Sequence, residues 1–415
     1  MSRTRSETLA LIFAFSGRVS GAVTTLAIVR LVGAGVQANA LFLAVAVYTL
    51  VTSIQISLLE TNTIALHGGG TEPAAGRLVY SGILFGALTS SAAMGVCLVA
   101  AHVLPPVAEA LPLIAVLLAS GPLVGLFAVL LGVSVCSRQW SRPAVGSWLR
   151  VLVIVAGSVF LVPRMGLVGV PIAVVVADCI RLTPFLGRLA RGRRAVAGHS
   201  GALLRSAFVQ LPSSIAGSAN PLIDRIVVAQ LALGSLAVLD LAEKSYGLAA
   251  LIFTQGVLPP LFQRWASTSK GMDSAPEMRR LAVRALPVGA VLAAGCSAVT
   301  IWAAPLAAGP TLSAQSGVFR AATVAYMLGL PAYLSAQVLV RLLVLQGRGR
   351  LLNLTAAVQL SINVVADLIL GSLWGLAGVA LATSVVTWAG WALVWRLCRS
   401  SPRLRSVPST LATAS

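Results

Sequence analysis

The sequence is poor in charged residues. Asp, Glu, Lys and Arg make up only 10% of its 415 residues, and just 11 residues are acidic. A soluble domain carries roughly a quarter charged residues, and disordered chains and coiled coils also depend on many charges. The shortage therefore excludes all three classes.

The motifs that carry enzyme chemistry are also missing. The sequence has no nucleophile–base constellation, no P-loop and no glycine-rich phosphate cradle. Its cysteines are scattered without CxxC spacing and its histidines lie far apart, which argues against a disulfide framework or a metal centre. We therefore expect no enzyme, no metal site and no cofactor apart from a coupling ion. The residues concerned are Cys97, Cys136, Cys179, Cys296, Cys398, His67, His102 and His199.

Apolar residues are abundant instead. They make up 58% of the chain, the mean hydropathy is +0.93, and the apolar runs extend along the whole length. One membrane-spanning helix needs about 20 apolar residues, so the chain has room for about twelve spans. The sequence predicts an all-α polytopic membrane protein. The predicted spans are Leu9–Val29, Ala38–Leu59, Leu78–Ala101, Leu111–Val135, Ala144–Val162, Leu167–Leu186, Leu203–Leu231, Leu236–Leu258, Ala285–Ala308, Val318–Val340, Leu351–Leu370 and Gly375–Trp395.

The distribution of Lys and Arg predicts the orientation of the spans. The formal net charge is +19, and nearly all loop cations fall on one side, the other side having only Arg30, Arg164 and Arg320. Basic loops stay in the cytoplasm, so both termini are expected there, and the charge needs no nucleic-acid partner. The basic cluster Arg188–Arg205 fits a topology-fixing loop beside an anionic leaflet, although it could also bind lipid headgroups or a partner.

An internal duplication divides the chain. Gly166-Leu167-Val168-Gly169-Val170 near the end of the first half corresponds to Gly375-Leu376-Ala377-Gly378-Val379 near the end of the second. Because each half has an even number of spans, the two share one orientation, with the substrate site between them. We predict an N-terminal six-helix bundle (1–187), a basic cytoplasmic linker (188–202), a C-terminal six-helix bundle (203–398) and a basic tail (399–415).

Three stretches together resemble the lipid II flippase family, within the superfamily of multidrug and oligosaccharidyl-lipid exporters. They extend over nearly the whole chain in the order and spacing of that family. The first comprises Gly17-Arg18-Val19-Ser20-Gly21, 27–35 and 39–42; the second comprises 223–229, Gly234-Ser235 and 239–246; the third extends from Gly329-Leu330-Pro331-Ala332 through Asn363 to 375–384.

The sequence also departs from the family pattern. Thr24-Thr25 stands where the family usually has an Arg-Asp pair, and Asn39 and Thr52 replace an acidic and a basic residue. Glu243-Lys244 keeps both charges of an expected Asp-Arg pair. Many members have fourteen spans, whereas twelve are predicted here.

The resemblance implies a flippase for a polyprenyl-diphosphate-linked sugar or peptidoglycan precursor in the bacterial cytoplasmic membrane. Ionisable side chains inside a membrane normally face a partner or a wet cavity. Arg18 and Lys244 are expected to hold the diphosphate, with Glu243 setting the local charge and Asn39 available to the sugar. Alternatively, Arg18 forms a packing salt bridge with Glu60, Asp224 or Glu243, and Lys244 pairs with Glu243 or Asp240.

Two further pairs are candidates for gating or ion coupling. Asp224 and Arg225 are adjacent, so on a helix they point about 100° apart and cannot face one partner. Asn363 and Asp367, one turn apart, could bind a coupling Na⁺ or H⁺, or only join polar faces. Asp178 and Arg181, at i and i+3, should satisfy one another. Pro212 and Pro331 are expected to kink their helices.

Two other functions stay open. The first is an ion-gradient-driven exporter of small, drug-like or cationic molecules, which the threonines at 24, 25 and 52 favour because they remove cations. The second is a non-transporting membrane scaffold. The expected partners are membrane lipid, a lipid-linked diphosphate substrate and cell-envelope biosynthesis enzymes.

Overall fold

The structure is a computed structural model that describes residues 27–32, 36–67, 75–137, 139, 141–187, 200–231, 235–251, 253–254, 258, 261, 275–308, 315–345, 348 and 350–399. These residues are almost entirely helical, and no strand occurs among them. The prediction of an all-α membrane protein is therefore confirmed.

The N-terminal half contributes six helices to the described part of the chain. They are α1 (Val36–His67), α2 (Ala75–Ala101), α3 (Pro105–Leu118), α4 (Gly121–Cys136), α5 (Ser141–Met165) and α6 (Gly169–Ile180). Helices α3 and α4 are bent by 49° at a short break, and only together are they long and apolar enough to cross a membrane. The predicted span Leu111–Val135 corresponds to this pair, which begins earlier, at Pro105.

The C-terminal half contributes seven helices. They are α7 (Ser200–Ser218), α8 (Asn220–Ala229), α9 (Ser235–Leu251), α10 (Ala275–Ala308), α11 (Ser316–Met327), α12 (Leu330–Leu345) and α13 (Arg350–Arg399). Pro212, where a kink is predicted, lies inside α7, which ends six residues later; the kink stays a prediction. Pro221 opens α8, where its missing N–H costs nothing. Pro331, the second residue with a predicted kink, lies in the first turn of α12, which begins at Leu330 and is separated from the end of α11 by two residues.

Six segments of the described residues are long and apolar enough to cross a membrane, or seven with the bent pair. Two of these segments, Ser141–Phe185 and Leu351–Arg399, contain 45 and 49 residues. Each is about twice the length of one crossing, so each holds two spans. The count of twelve stays a prediction, because the first predicted span lies largely outside the described residues.

The duplicated glycine motif explains how both long segments turn. Gly166 and Gly375 are the positive-φ glycines of the described residues, with φ of +61° and +57°. Three residues later, a Cβ on Gly169 would lie 2.7 Å from the Leu161 carbonyl carbon, and one on Gly378 would lie 1.8 Å from the Leu370 carbonyl oxygen. The first glycine therefore supplies the left-handed turn, and the second lets the two spans touch. The same geometry in both halves supports the predicted duplication.

Helix α7 joins the two halves. It packs on α1 and α2 of the N-terminal half and also on α13, whereas α8, its continuation, packs on α13, α1 and α9. Asn62 of α1 accepts a hydrogen bond from Ser206 (2.5 Å) and another from Gln210 (3.2 Å). The rings of Phe85 and Phe208 lie 5.1 Å apart. Both α7 and α8 thus contact helices of the two halves.

Reciprocal glycines hold α2 against α4. A Cβ on Gly86 would lie 2.3 Å from the Gly121 carbonyl oxygen, and one on Gly125 would lie 2.1 Å from the Gly82 carbonyl oxygen. Such spacing of small residues allows close packing of helices in membranes, where lipid tails are as apolar as leucine.

We expect Gly86→Ala to destabilise the protein by about 1–3 kcal/mol, because the new methyl group meets backbone atoms that cannot move aside. The matched control is Gly95→Ala on the same helix, where a Cβ meets nothing within 4 Å. Thermal midpoints followed by fluorescence-detected size exclusion should fall for the first variant and not for the second. Equal midpoints would contradict the packing described.

Candidate functional site

A charged cluster lies between α8 and α9. The Arg225 guanidinium donates from Nη2 to Asp240 (3.0 Å) and to Glu243 (2.5 Å), and from Nη1 to the Pro221 carbonyl (3.0 Å). Lys244 donates to the other oxygen of Asp240 (2.6 Å). Two cations and two anions therefore form one connected network of ion pairs.

The two edges of this cluster differ in exposure. The side chains of Arg225 and Asp240 are 10% and 5% exposed, whereas those of Glu243 and Lys244 are 30% and 32% exposed. Residues 243–248 of α9 are all half-buried, although residues 235–242 are all buried. The part of α9 that carries Glu243 and Lys244 is therefore more exposed than the part before it.

A second polar cluster starts at the neighbouring residue of α8. The Asp224 carboxylate accepts hydrogen bonds from Asn363 (2.6 Å) and from Thr383 (2.9 Å). Asn363 also donates to Asp367 (3.1 Å). Asn363 and Thr383 lie on opposite sides of the turn at Gly375, so this cluster ties α8 to both spans of α13.

The second cluster is acidic and incompletely satisfied. Asp224, Asn363 and Asp367 are all buried, and the Asp367 Oδ1 atom has no hydrogen-bond partner. Two buried carboxyl groups that share one amide cannot both be charged without a compensating cation or proton. The oxygen atoms present are the donors that hard cations prefer.

The structure thus brings together six of the eight residues predicted for the site. Asp224 and Arg225 do point to different partners, one toward α13 and one toward α9. Glu243 pairs with Arg225, and Lys244 with Asp240, which was one of the expected alternatives. Asn39 lies buried in the first turn of α1, and its Oδ1 atom has no partner. Arg18 lies outside the described residues.

The residues predicted from sequence did not include Thr383, nor Tyr48 and Arg150 in the first half. Arg150 donates to Asp178 (2.8 Å) and to Tyr48 (3.2 Å), whereas Asp178 and Arg181 form the expected pair at 3.4 Å. Arg150 was detectable, because it is an arginine inside the predicted span Ala144–Val162. Thr383 gave no such signal, since threonine is common in membrane helices.

Several solved structures share this fold. A lipid II flippase MurJ in an inward closed conformation is 17% identical, with a TM-score of 0.79 over 95% of this chain and 88% of that one. An inward-facing multidrug resistance MATE family transporter of the MOP superfamily is 15% identical, with a TM-score of 0.62 over 94% and 93%. A Vibrio cholerae MATE transporter mutant is 13% identical, with a TM-score of 0.63 over 95% and 97%.

A comparison with curated protein sequences finds no match. The family model of the lipid II flippase MurJ, in contrast, matches residues 77–412, which is well over half of the chain. Arg18 and Asn39 precede the matched region, whereas both polar clusters of α8 lie within it. The protein is therefore a multi-pass membrane flippase for a lipid-linked precursor, and it belongs to the lipid II flippase MurJ family.

Proposed function

We propose that the ion-pair cluster of α8 and α9 binds the diphosphate of a polyprenyl-linked sugar or peptidoglycan precursor. The observation that supports this role is the partial exposure of Lys244 and Glu243 beside the buried Arg225. A planar guanidinium and a compact ammonium together suit the adjacent oxygens of a diphosphate. Arg18 of the first predicted span would add a further cation, and Asn39 a contact to the sugar.

Binding at this cluster would proceed by exchange of partners. Arg225 and Lys244 are balanced by Asp240 and Glu243, so the cluster carries no net charge. Phosphate oxygens would replace the Glu243 carboxylate at Arg225 and the Asp240 Oδ2 atom at Lys244, while the buried contact of Asp240 Oδ1 with Arg225 keeps α8 and α9 together. Such exchange leaves neither cation of the cluster without a partner, with or without the substrate, which matters because bare charges in a membrane cost at least a few kcal/mol.

The transport cycle follows from the two halves. The lipid tail stays in the bilayer while the polar head passes between the halves from the inner to the outer leaflet by alternating access. The membrane is the bacterial cytoplasmic membrane, with both termini in the cytoplasm. The protein acts as a transporter without catalysis, and enzymes of cell-envelope biosynthesis supply its substrate.

The acidic cluster is suited to a coupling ion. Asp224, Asp367 and Thr383 would hold Na⁺ or H⁺ through their oxygens, and the unpartnered Oδ1 atom of Asp367 gives such an ion a vacant ligand. Because Asp224 is adjacent to Arg225 on α8, any shift of this helix on ion binding also moves the guanidinium. The ion site and the diphosphate site are thereby mechanically linked.

We expect Lys244→Gln and Arg18→Ala to slow flipping about tenfold to a hundredfold. Each variant removes a charge-assisted hydrogen bond worth about 1.5–3 kcal/mol. The measurement uses proteoliposomes with a fluorescent polyprenyl-diphosphate saccharide and a membrane-impermeant quencher. Arg164→Gln is the control, because Arg164 is exposed and donates to its own helix at Phe160.

Wild-type rates in both variants would show that these cations do not hold the diphosphate. A wild-type protein that flips nothing, but exports a dye along a cation gradient, would instead establish the small-molecule exporter. The MATE-like fold makes that comparison necessary.

We expect Na⁺ or low pH to raise the thermal midpoint of the wild-type protein, and Asp367→Asn to abolish the increase. A ligand at a hundred times its dissociation constant stabilises a protein by about 2.7 kcal/mol. Midpoints are measured in NaCl, in N-methylglucamine chloride and across pH. The control is Glu109→Gln, which removes an exposed acid of α3 and should show the wild-type increase in midpoint. If Asp367→Asn also keeps this increase, the ion binds elsewhere.

A further inference from the structure

The N-terminal half contains its own buried charged cluster, between α1, α5 and α6. The Asp178 carboxylate accepts hydrogen bonds from Tyr48 (2.5 Å) and from Arg150 (2.8 Å), and Arg181 lies 3.4 Å away. Arg150 also donates to the Tyr48 hydroxyl (3.2 Å). None of these residues belongs to the clusters of α8.

The charges of this N-terminal cluster do not balance. Two guanidinium groups face one carboxylate, and Asp178 is the acid with which both arginines pair in the described part of the chain. One positive charge is therefore left over in a buried site. A buried charge without a partner is costly, whereas one with a ligand of opposite sign is not.

The unsatisfied donors belong to Arg181. Its side chain is 6% exposed, and its Nε and Nη2 atoms have no hydrogen-bond partner. The guanidinium carbon lies 4.0 Å from the centre of the Phe127 ring, which fixes the plane of the group. The side chain of Arg150 is 26% exposed, so the cluster has a buried donor and an edge that a ligand can reach.

The duplication shows how the two halves have diverged. Counted from the duplicated glycines Gly166 and Gly375, Asn363 and Asp367 correspond to Ile154 and Ser158. The first half thus lacks the Asn–Asp pair and has a cation, one turn earlier, at Arg150. The final two spans therefore carry a buried acid at Asp367 in the second half and two arginines around one acid in the first.

We propose that Arg150 and Arg181 form a binding site for a phosphate or diphosphate group in the N-terminal half. The free N–H groups of Arg181, beside the guanidinium of Arg150, match phosphate oxygens. The phosphate comes either from the cargo or from an anionic phospholipid; the first source rests on the proposed function, and the second does not. Asp178 sets the affinity by neutralising one of the two cations.

The test measures equilibrium binding to the purified full-length protein in neutral detergent. The probes are inorganic diphosphate, a polyprenyl diphosphate and phosphatidylglycerol, each followed by microscale thermophoresis and by native mass spectrometry. Arg150→Gln neutralises the surplus charge and should weaken binding at least tenfold. Asp178→Asn leaves two cations unopposed and should strengthen binding severalfold. Arg164→Gln, at the far end of α5, is the matched control.

Each outcome decides the proposal. Loss of polyprenyl diphosphate binding in Arg150→Gln, with tighter binding in Asp178→Asn, supports a cargo site, and the same pattern with phosphatidylglycerol alone supports a lipid site. Equal affinities in all variants overturn the proposal. If Asp178→Asn does not fold, Arg150→Lys is measured in its place. If Arg150 binds phosphate through two N–H groups, the lysine should lower the affinity in part. An unchanged affinity counts against the site. Because binding is read without transport, a protein that binds but does not flip contradicts only the proposed function.

Discussion

The arrangement of α8 depends on neutralising charges inside a membrane. Arg225 is enclosed by Asp240 and Glu243 of α9, while its neighbour Asp224 is hydrogen-bonded to α13. Since neither charge can be left bare in hydrocarbon, this one short helix is fixed against two others through two faces about 100° apart. The half-buried Lys244 and the unpartnered Asp367 oxygen belong to the same two clusters.

The glycines determine the close helix packing and the turns, which the charged clusters do not explain. Close approach at Gly86 and Gly121 packs α2 on α4, and the turns at Gly166 and Gly375 fold each pair of final spans back on itself. The second turn brings Thr383 to the same carboxylate as Asn363. Backbone geometry repeated in both halves therefore builds the scaffold, and side chains that differ between the halves give each its own charge.

Much of this could be predicted from local sequence. The apolar runs predicted the helices, and the repeated glycine motif indicated the duplication. Spacing along one helix predicted the Asp178–Arg181 and Asn363–Asp367 pairs. Contacts between distant segments could not be predicted from local sequence. No local pattern indicates that Asp224 contacts Asn363, 139 residues later. Nor does one indicate that Glu243 pairs with Arg225 rather than with Lys244. The helix break before Pro221 was likewise not predicted.

The most direct test of this account is a double-mutant cycle on Arg225 and Asp240, read as thermal stability. Either Arg225→Gln or Asp240→Asn alone leaves an uncompensated charge and should cost about 3–5 kcal/mol. The double variant leaves Glu243 and Lys244 to balance each other, so it should recover most of the loss, with a coupling energy above about 1 kcal/mol. Purely additive losses would contradict the claim that charge neutralisation holds α8 in place.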